Sequence, residues 1–212
     1  AHFFTGQDGE QYASVKVGDH RECYRVKSNQ FNDYLSQVFY QAHKTVIGAQ
    51  ARADAKSVMA FQCREFTEEV FVRVGYHAGA VYIDLGSAEW DAIRVDATGW
   101  CIEKTPPVHF RRTSAMQELP LPVQSEDTFK LALYLNIEPE HWPLIAAYIV
   151  QSLHPRGPYP ILIYSGEQGT AKSTQLRVLK ELIDPSAAAL RGQPDDIRDL
   201  MIAASNSWLL AF

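Results

Sequence analysis

Cysteine is scarce in this chain, which excludes a fold that depends on disulfides. Only three cysteines occur in 212 residues, and Cys23, Cys63 and Cys101 lie far apart in the sequence. Small secreted domains that are stabilised by disulfides carry many cysteines in even number. A dispersed, odd set is typical of free thiols in a reducing compartment, so we expect a cytoplasmic protein.

Long apolar runs and an excess of basic residues are also missing. No apolar stretch approaches the roughly 20 residues that a membrane-spanning helix needs, so we expect no membrane partner. The formal net charge is -5, from 20 basic and 25 acidic residues, whereas a protein that coats nucleic acid with its whole surface is usually basic. Contact with DNA would therefore require a local positive channel.

Residues 1–112 mix the patterns of strands and helices, which predicts an N-terminal α+β domain. Ser28 has the character of a helix N-cap, and apolar residues follow it at helical spacing as far as His43. The alanine-rich stretch 49–64 predicts a second helix. The predicted strands are 11–17, 22–26, one from residue 69 that puts Val70, Val72 and Val74 on one face, 80–85, 91–95, 100–103 and 107–111.

Residues 113–125 contain two prolines and no helical stripe, so we interpret them as a linker to a second domain over 126–212. Helices are expected near 127–135 and 139–153. Proline-rich residues 155–160 then end the second of these helices.

A strand, a glycine-containing loop and a helix follow in direct succession. Ile161–Tyr164 is a run of four apolar β-formers without alternation, as in a strand that is buried on both faces of a parallel sheet. Residues 165–174 carry glycines and a Lys-Ser pair, and an apolar stripe from Leu176 predicts a helix that stops at Asp184-Pro185. This order is the phosphate-binding P-loop (Walker A) arrangement.

The residue types of this loop fit the chemistry of a nucleotide. Gly166 and Gly169 let backbone N–H groups approach a phosphate, and the helix N-terminus faces the same anion. Lys172 adds a point charge for the β- and γ-phosphates, and the Ser173 hydroxyl is a ligand for Mg²⁺. We therefore expect ATP and Mg²⁺ as cofactors, with Lys172 as the catalytic residue. The predicted binding set is Gly166, Glu167, Gln168, Gly169, Thr170, Ala171, Lys172, Ser173 and Thr174.

One position departs from the usual pattern, because Ala171 stands where glycine normally precedes the lysine. A right-handed helical conformation would tolerate the alanine. A positive φ would instead make its methyl group cost about 1 kcal/mol.

The sequence after the P-loop helix predicts further elements of the same sheet. Residues 187–191 form a short expected strand, and Asp195 or Asp196 caps an expected helix to Ala204. Trp208–Phe212 is a third expected strand. In P-loop NTPases a later strand ends in an acidic residue that organises Mg²⁺. We expect that residue beyond Phe212, and hence a truncated domain from a longer protein.

Residues 127–212 resemble the ATPase domains of phage- and plasmid-type replicative helicases, which are often linked to primases. Residues 81–86, Trp100 and 106–112 also resemble the region before the ATPase in these proteins. The segments that carry the main resemblance are Arg156–Pro160, Gly166–Thr174, Asp184-Pro185, Arg198–Ile202 and Asn206–Leu210.

The resemblance implies a fold, an activity and partners. It implies an α/β chain in which an α+β domain precedes a truncated, AAA+/helicase-like P-loop domain with a parallel sheet. It also implies a homo-oligomeric ring that couples ATP hydrolysis to movement along DNA, expected to be single-stranded, during replication of a mobile element, with a primase as a further partner. The nucleotide contacts that it implies are Gly166, Gly169, Lys172, Ser173 and Thr174, and no DNA-contact residue can be matched.

Two other functions remain open from the residues alone. The loop could belong to a P-loop kinase of a small molecule, which would need an acceptor-binding lid. It could also be vestigial in a non-catalytic module that binds DNA or assembles a complex. His109–Arg112 mixes aromatic and basic residues as some nucleic-acid surfaces do, although an outward-facing strand edge is the commoner meaning of such a pattern.

Overall fold

Ten short strands and two helices make up the first part of the protein. The computed structural model describes residues 1–125 and 130–212, so residue 126 and the expected helical residues 127–129 lie outside the described residues. The strands are β1 His2–Gly6, β2 Gln11–Val17, β3 His20–Arg25, β4 Thr67–Glu68, β5 Val70–Phe71, β6 Val74–His77, β7 Ala80–Asp84, β8 Ala92–Asp96, β9 Gly99–Glu103 and β10 His109–Phe110. The helices are α1 Asn29–His43 and α2 Ala49–Gln62, and a 3₁₀ turn follows at Cys63–Glu65.

The first sheet carries both helices on one face. Its strand order is β3-β2-β1-β4, antiparallel except for the β1–β4 pair. Ser28 caps α1 as expected, since its hydroxyl accepts a hydrogen bond from the N–H of Phe31 at 3.1 Å. Phe31 and Cys63 then pack on Ala13 and Val15 of β2, which makes a closed apolar core between helices and sheet.

The second sheet is an antiparallel meander in the order β6-β7-β8-β9, and β5 pairs separately with β10 in parallel. The continuous strand expected from residue 69 is therefore wrong. Strand β5 ends at Phe71 and β6 begins at Val74 in a different sheet, because the chain bends at Val72 and Arg73. The bend turns Arg73 inward, where its exposed fraction is 0%.

Residues 130–212 of the second part form four helices. They are α3 Lys130–Tyr134, α4 Trp142–Ser152, α5 Lys172–Ile183 and α6 Ile197–Ser205. Their core contains Leu135 of the α3–α4 connection, Ile145 of α4 and Leu179 of α5. Among the described residues, no helix is both long and apolar enough to cross a membrane.

The three strands expected in the second part do not form ladders. Residues 161–164, 187–191 and 208–212 have no strand assignment, and Arg191 N–H to the Ala211 carbonyl, at 3.0 Å, is a single isolated bond. Leu162 packs into the helical core, whereas the exposed fraction of Ile161 is 87%. A strand that is buried on both faces needs neighbours on both edges, and no described strand pairs with this segment.

The expected linker contacts both parts of the protein. The N–H of Gln117 donates to the Pro185 carbonyl at 3.0 Å, and Met116 forms a bridge with Ser186. Leu119 is buried, and its N–H donates to the Leu85 carbonyl at 2.7 Å. Residues 113–119 are thus held on both sides by backbone hydrogen bonds.

A buried ionic cluster joins the two parts at the end of α5. Arg73 donates from Nε to Asp184 Oδ1 at 3.0 Å and from its two terminal nitrogens to the carbonyls of Asp84, Gln117 and Pro185. The other carboxylate oxygen of Asp184 accepts a bond from Lys180 Nζ at 2.6 Å. The two buried cations therefore share one carboxylate, and neutral carbonyls accept the remaining hydrogen bonds of Arg73, which lowers the cost of burying its charge.

The C-terminal segment completes the same cluster. Asp184 Oδ2 also accepts from Ser207 Oγ at 3.0 Å and from the backbone N–H groups of Trp208 and Leu209 at 2.9 and 3.0 Å. Burial alone would raise the pKa of Asp184, but the charge and hydrogen bond of Lys180, with the Leu209 N–H and Arg73, lower it below its ordinary value.

Removing the buried guanidinium group of Arg73 should strongly destabilise the fold. Arg73→Ala leaves three carbonyls and part of a carboxylate without their donor, and breaking a buried ion pair costs about 3–5 kcal/mol. Urea unfolding should show this loss in the free energy of unfolding. Arg64→Ala, at an exposed arginine beside Phe61, is the control and should change it by about 0.5 kcal/mol or less. Equal values for the two variants would contradict the role of the cluster.

The same cluster predicts acid sensitivity. Because the folded protein lowers the pKa of Asp184, this carboxylate stabilises the fold at pH values above its ordinary pKa of about 3.9. That contribution is lost as the pH falls through the lower, folded value. Urea unfolding at pH 7, 5 and 3 should show a decline between pH 5 and 3 that is shallower in Asp184→Asn, and parallel curves would contradict it.

Candidate nucleotide-binding site

The loop between residue 164 and α5 turns sharply at positions with positive φ. Gly166 has φ 151° and Gly169 has φ 88°, both in the region that favours glycine. A Cβ on Gly166 would lie 3.2 Å from Thr170 Oγ1, so the loop also packs closely against itself there. These two glycines are thus required by the backbone, as the sequence predicts.

The sequence left a right-handed helical conformation and a positive φ open for Ala171, and the structure has the strained one, with positive φ. Ala171 is the N-cap of α5 with φ 61° and ψ 17°, in the left-handed region, and its side chain caps no N–H group. For an L-residue this conformation costs roughly 1–2 kcal/mol, because Cβ approaches the following carbonyl. Glycine would avoid that contact. The conformation of the loop at Ala171 therefore destabilises the folded protein locally.

Lys172 begins α5 and folds back into the loop. Its ammonium donates to the carbonyls of Gly166 and Glu167 at 2.9 and 2.6 Å and lies 3.2 Å from Thr170 Oγ1. The Thr170 hydroxyl in turn donates to the Glu167 carbonyl at 2.9 Å. The positive charge therefore lies inside the curve of the loop and is held there by neutral oxygens.

The start of α5 has the features of an anion site. The first helical turn contains no acidic residue, and the first intrahelical bond runs from the Gln175 N–H to the Ala171 carbonyl at 3.0 Å. The N–H groups before Gln175 are free of helical partners by geometry and form the positive end of the helix dipole. Ser173 and Thr174 are exposed in this turn.

A phosphate group fits this arrangement. The site combines glycine-dependent turns, a helix N-terminus and a lysine whose donors now bind neutral carbonyls, which a charged oxygen can replace with stronger hydrogen bonds. Glu167 and Gln168 are exposed on the outer part of the loop. No group of three or more His, Cys, Asp or Glu side chains that could hold a metal ion occurs among residues 1–125 and 130–212.

The residues that anchor the loop and helix α5 to the rest of the protein were not predicted from the sequence. Tyr164 packs into the core of the helices, and burial raises the pKa of its hydroxyl, which is buried without a hydrogen-bond partner. Lys180 and Asp184 fix the far end of α5. The only sequence signal for this ion pair is the spacing of four residues between Lys180 and Asp184. The sequence analysis interprets Asp184 as the end of a helix and does not predict the pair.

An apolar cleft of about 480 Å³ lies beside the loop. Residues 160–164 form one wall and 209–212 another, with Leu176 and Leu179 of α5 also lining it. Both segments were expected to be strands. They face each other across the cleft without a ladder of hydrogen bonds between them.

Comparison with known families finds a similarity in the second part of the chain. Residues 127–212 match the family of actinomycete integrative conjugative element replication proteins. No curated protein and no solved structure matches the chain. The expected similarity to mobile-element replication proteins is therefore confirmed for this part of the chain, and the matched range contains the whole loop.

The strained N-cap can be tested directly. Ala171→Gly should raise the free energy of unfolding by up to about 1 kcal/mol, since relief of the methyl contact exceeds the extra entropy of glycine in the unfolded chain. Thermal or urea unfolding measures the change. Ala53→Gly, inside exposed helix α2, should have the opposite sign and cost about 0.5–1 kcal/mol. Destabilisation by both substitutions would show that Ala171 is not strained.

Proposed function

We propose that this protein is the nucleotide-binding part of a motor that hydrolyses ATP and moves along single-stranded DNA during replication of a mobile element. The observation that carries the proposal is the ammonium group of Lys172, held inside a glycine loop at the N-terminus of α5. The family match of residues 127–212 supports the setting in replication.

Each loop residue has a role that follows from its position. The backbone N–H groups near Gly169 and at the start of α5 would hold the β-phosphate, and Lys172 would move from the loop carbonyls to the β- and γ-phosphate oxygens. The Ser173 hydroxyl would be a ligand of Mg²⁺, and Thr174 would donate to a more inward phosphate. A bound Mg²⁺-ATP supplies the phosphoanhydride bond whose hydrolysis drives movement.

The full motor also requires parts that the loop itself does not supply. These are an acidic residue for Mg²⁺ and water, contacts to DNA, and subunit interfaces of a homo-oligomeric ring. We include all three in the proposal, together with a primase as partner, because replicative helicases of the resembled type have them. The loop itself needs none of them to bind phosphate.

Loss of the lysine charge should weaken nucleotide binding. Lys172→Ala removes charge-assisted hydrogen bonds worth about 1.5–3 kcal/mol, so the affinity for Mg²⁺-ATP should fall roughly 10–150-fold in calorimetric titrations. Lys44→Ala, at the end of α1 and remote from the loop in sequence, is the matched control and should bind as the unmodified protein does.

The result separates the candidate functions as well. Unchanged affinity in Lys172→Ala would falsify the nucleotide site. If ATP binds but single-stranded DNA does not stimulate its hydrolysis in the full-length protein, a small-molecule kinase becomes the better explanation. If DNA binding or assembly is indifferent to ATP, the loop is vestigial.

A further inference from the structure

Two adjoining cavities in the first part form one groove with chemically different ends. The larger, about 530 Å³, and the smaller, about 180 Å³, share Gln30, Arg112 and Thr113 in their walls. We call the larger the aromatic end and the smaller the arginine end. Together they have the size of a site for a small organic group.

The arginine end carries positive charge that carboxylates only partly compensate. Arg25 and Arg111 both line it, and the charge of Arg25 disfavours the charge of Arg111. Burial, followed by the charge of Arg25, lowers the pKa of Arg111. Arg25 has a carboxylate partner in Asp8 at 3.2 Å, whereas Arg111 donates to the Asn206 side chain at 3.1 Å and to the Ser205 carbonyl, which are neutral oxygens.

The N-terminus of α1 opens into the same end of the groove. Ser28 and Gln30 line it, and the first turn of this 15-residue helix contains no acidic residue. The positive end of a helix dipole beside two arginines is an environment that stabilises an anion. A phosphate group would relieve the repulsion between Arg25 and Arg111.

Arg112 is a rigid divider between the two ends rather than an anion ligand. Its guanidinium donates to both carboxylate oxygens of Asp84, at 2.9 and 2.6 Å, and also to the Ser87 carbonyl. It lies 4.0 Å from the centre of the Trp90 ring. Its charge is therefore already paired, and its plane fixes the position of the indole.

The aromatic end presents rings and hydrogen-bonding groups together. Tyr24, Tyr34 and Trp90 line it, with the Tyr24 ring centroid 5.9 Å from Tyr34 and 6.0 Å from Trp90. Gln37 and Asp33 of α1 line the same space and are exposed. Rings with amide and carboxylate groups at their side can hold a nucleobase by stacking and by accepting from its amino group.

The backbone at Trp90 is strained, which indicates that its position is specified by its surroundings. Its φ is 57°, an outlier for a bulky residue. The turn that carries it is closed by hydrogen bonds from the Trp90 N–H to the Ser87 carbonyl at 3.3 Å and from the Leu85 N–H to the Asp91 carbonyl at 3.3 Å. Conformations of this kind concentrate at binding sites.

We infer that this groove binds single-stranded nucleic acid, with a backbone phosphate at the arginine end and a base at the aromatic end. The occupant is a strand rather than a duplex, because only an unpaired base exposes a face that can stack on an aromatic ring of the groove. The inference goes beyond the proposed ATP site and does not rest on it, since no groove residue belongs to the 165–174 loop.

A charge reversal at Gln30 tests the arginine end. Gln30→Glu puts a carboxylate into the first turn of α1, which favours the helix dipole and so preserves folding, but repels a phosphate. Affinity for a labelled 12-nucleotide oligodeoxycytidylate, measured by fluorescence anisotropy at low salt, should fall about 5-fold or more. Gln50→Glu, the same change at the same position of α2, is the matched control and should leave affinity unchanged. Equal affinities for the two variants would overturn the inference.

Two variants of Tyr34 test the aromatic end. Tyr34→Phe keeps the ring and should bind the oligonucleotide normally, whereas Tyr34→Ala should lose about 5-fold or more, the low end of the effect of removing a stacking ring. Tyr40→Ala, an exposed ring elsewhere on α1, is the control. If Tyr34→Ala does not fold, the Gln30→Glu result decides alone.

Competition identifies the occupant. The 12-mer should bind at least tenfold more tightly than deoxycytidine monophosphate or inorganic phosphate, and Lys172→Ala should leave its binding unchanged. Equal binding of the monophosphate would overturn the assignment to a strand and indicate a mononucleotide site. A duplex that binds as tightly as the single strand would overturn it as well. Loss of 12-mer binding in Lys172→Ala would place the DNA contact at the loop and overturn the groove assignment.

Discussion

The carboxylate of Asp184 is the point at which the first part, helix α5 and the C-terminal segment meet. One oxygen binds Arg73 from the first part, and the other binds Lys180 of α5 and the backbone at Trp208 and Leu209. A buried carboxylate must be satisfied in this way or it would cost several kcal/mol. The Asp184 carboxylate consequently fixes three elements relative to one another: the end of α5, the bend before β6 and the C-terminal segment.

This constraint has a consequence for the loop at the other end of α5. A helix transmits position along its axis, and α5 is held at Asp184 by the ion cluster and along its side by Leu179 in the core. The exposed, strained Ala171 and the half-buried Lys172 lie at its other end. Binding residues are often carried on a loop that a rigid scaffold positions, and α5 is such a scaffold for this loop.

Much of the helical structure and the loop could be predicted because their signals are local. Ser28 and Asp196 both cap helices where the sequence indicated, each by accepting a hydrogen bond from an N–H three residues later. The positions of Gly166, Gly169 and Lys172 in one turn likewise follow from neighbouring residues. The ATP contacts predicted from these positions stay predictions, since no comparison bears on them.

The sequence did not predict the elements that depend on distant partners. Strand β1 pairs in parallel with β4, more than 60 residues later, and β5 pairs with β10 at a separation of almost 40. No local pattern encodes such a pairing. The burial of Arg73 was not predicted either. An arginine between two valines, in a segment with a period of two, indicates a straight strand on which the arginine side chain points outward. The bend reverses its direction, and only its distant partners make burial of the charge tolerable.

The burial of the apolar residues before the loop also could not be predicted fully from the sequence. Ile161–Tyr164 has the composition of a strand that is covered on two sides, and Leu162 and Tyr164 do pack inward. Ile161 and Ile163, at 87% and 80% exposed, do not. The composition of a segment indicates how much of it favours burial, but it does not identify the residues that pack against it. The alternate burial of these four residues is what one covered face and one uncovered face produce.

The groove in the first part and α5 are connected by contacts that run through a short stretch of chain. Arg111 in the groove binds Asn206 and the Ser205 carbonyl, and the next residues, Ser207 and Trp208, bind Asp184. Residues 205–208 therefore lie between two charged groups, each of which would lose hydrogen bonds if the segment moved. Because an unpaired buried charge is costly, the groove wall and the end of α5 hold a fixed relation to each other. Asn206, which lines the groove, thus lies directly before the residues that bind Asp184.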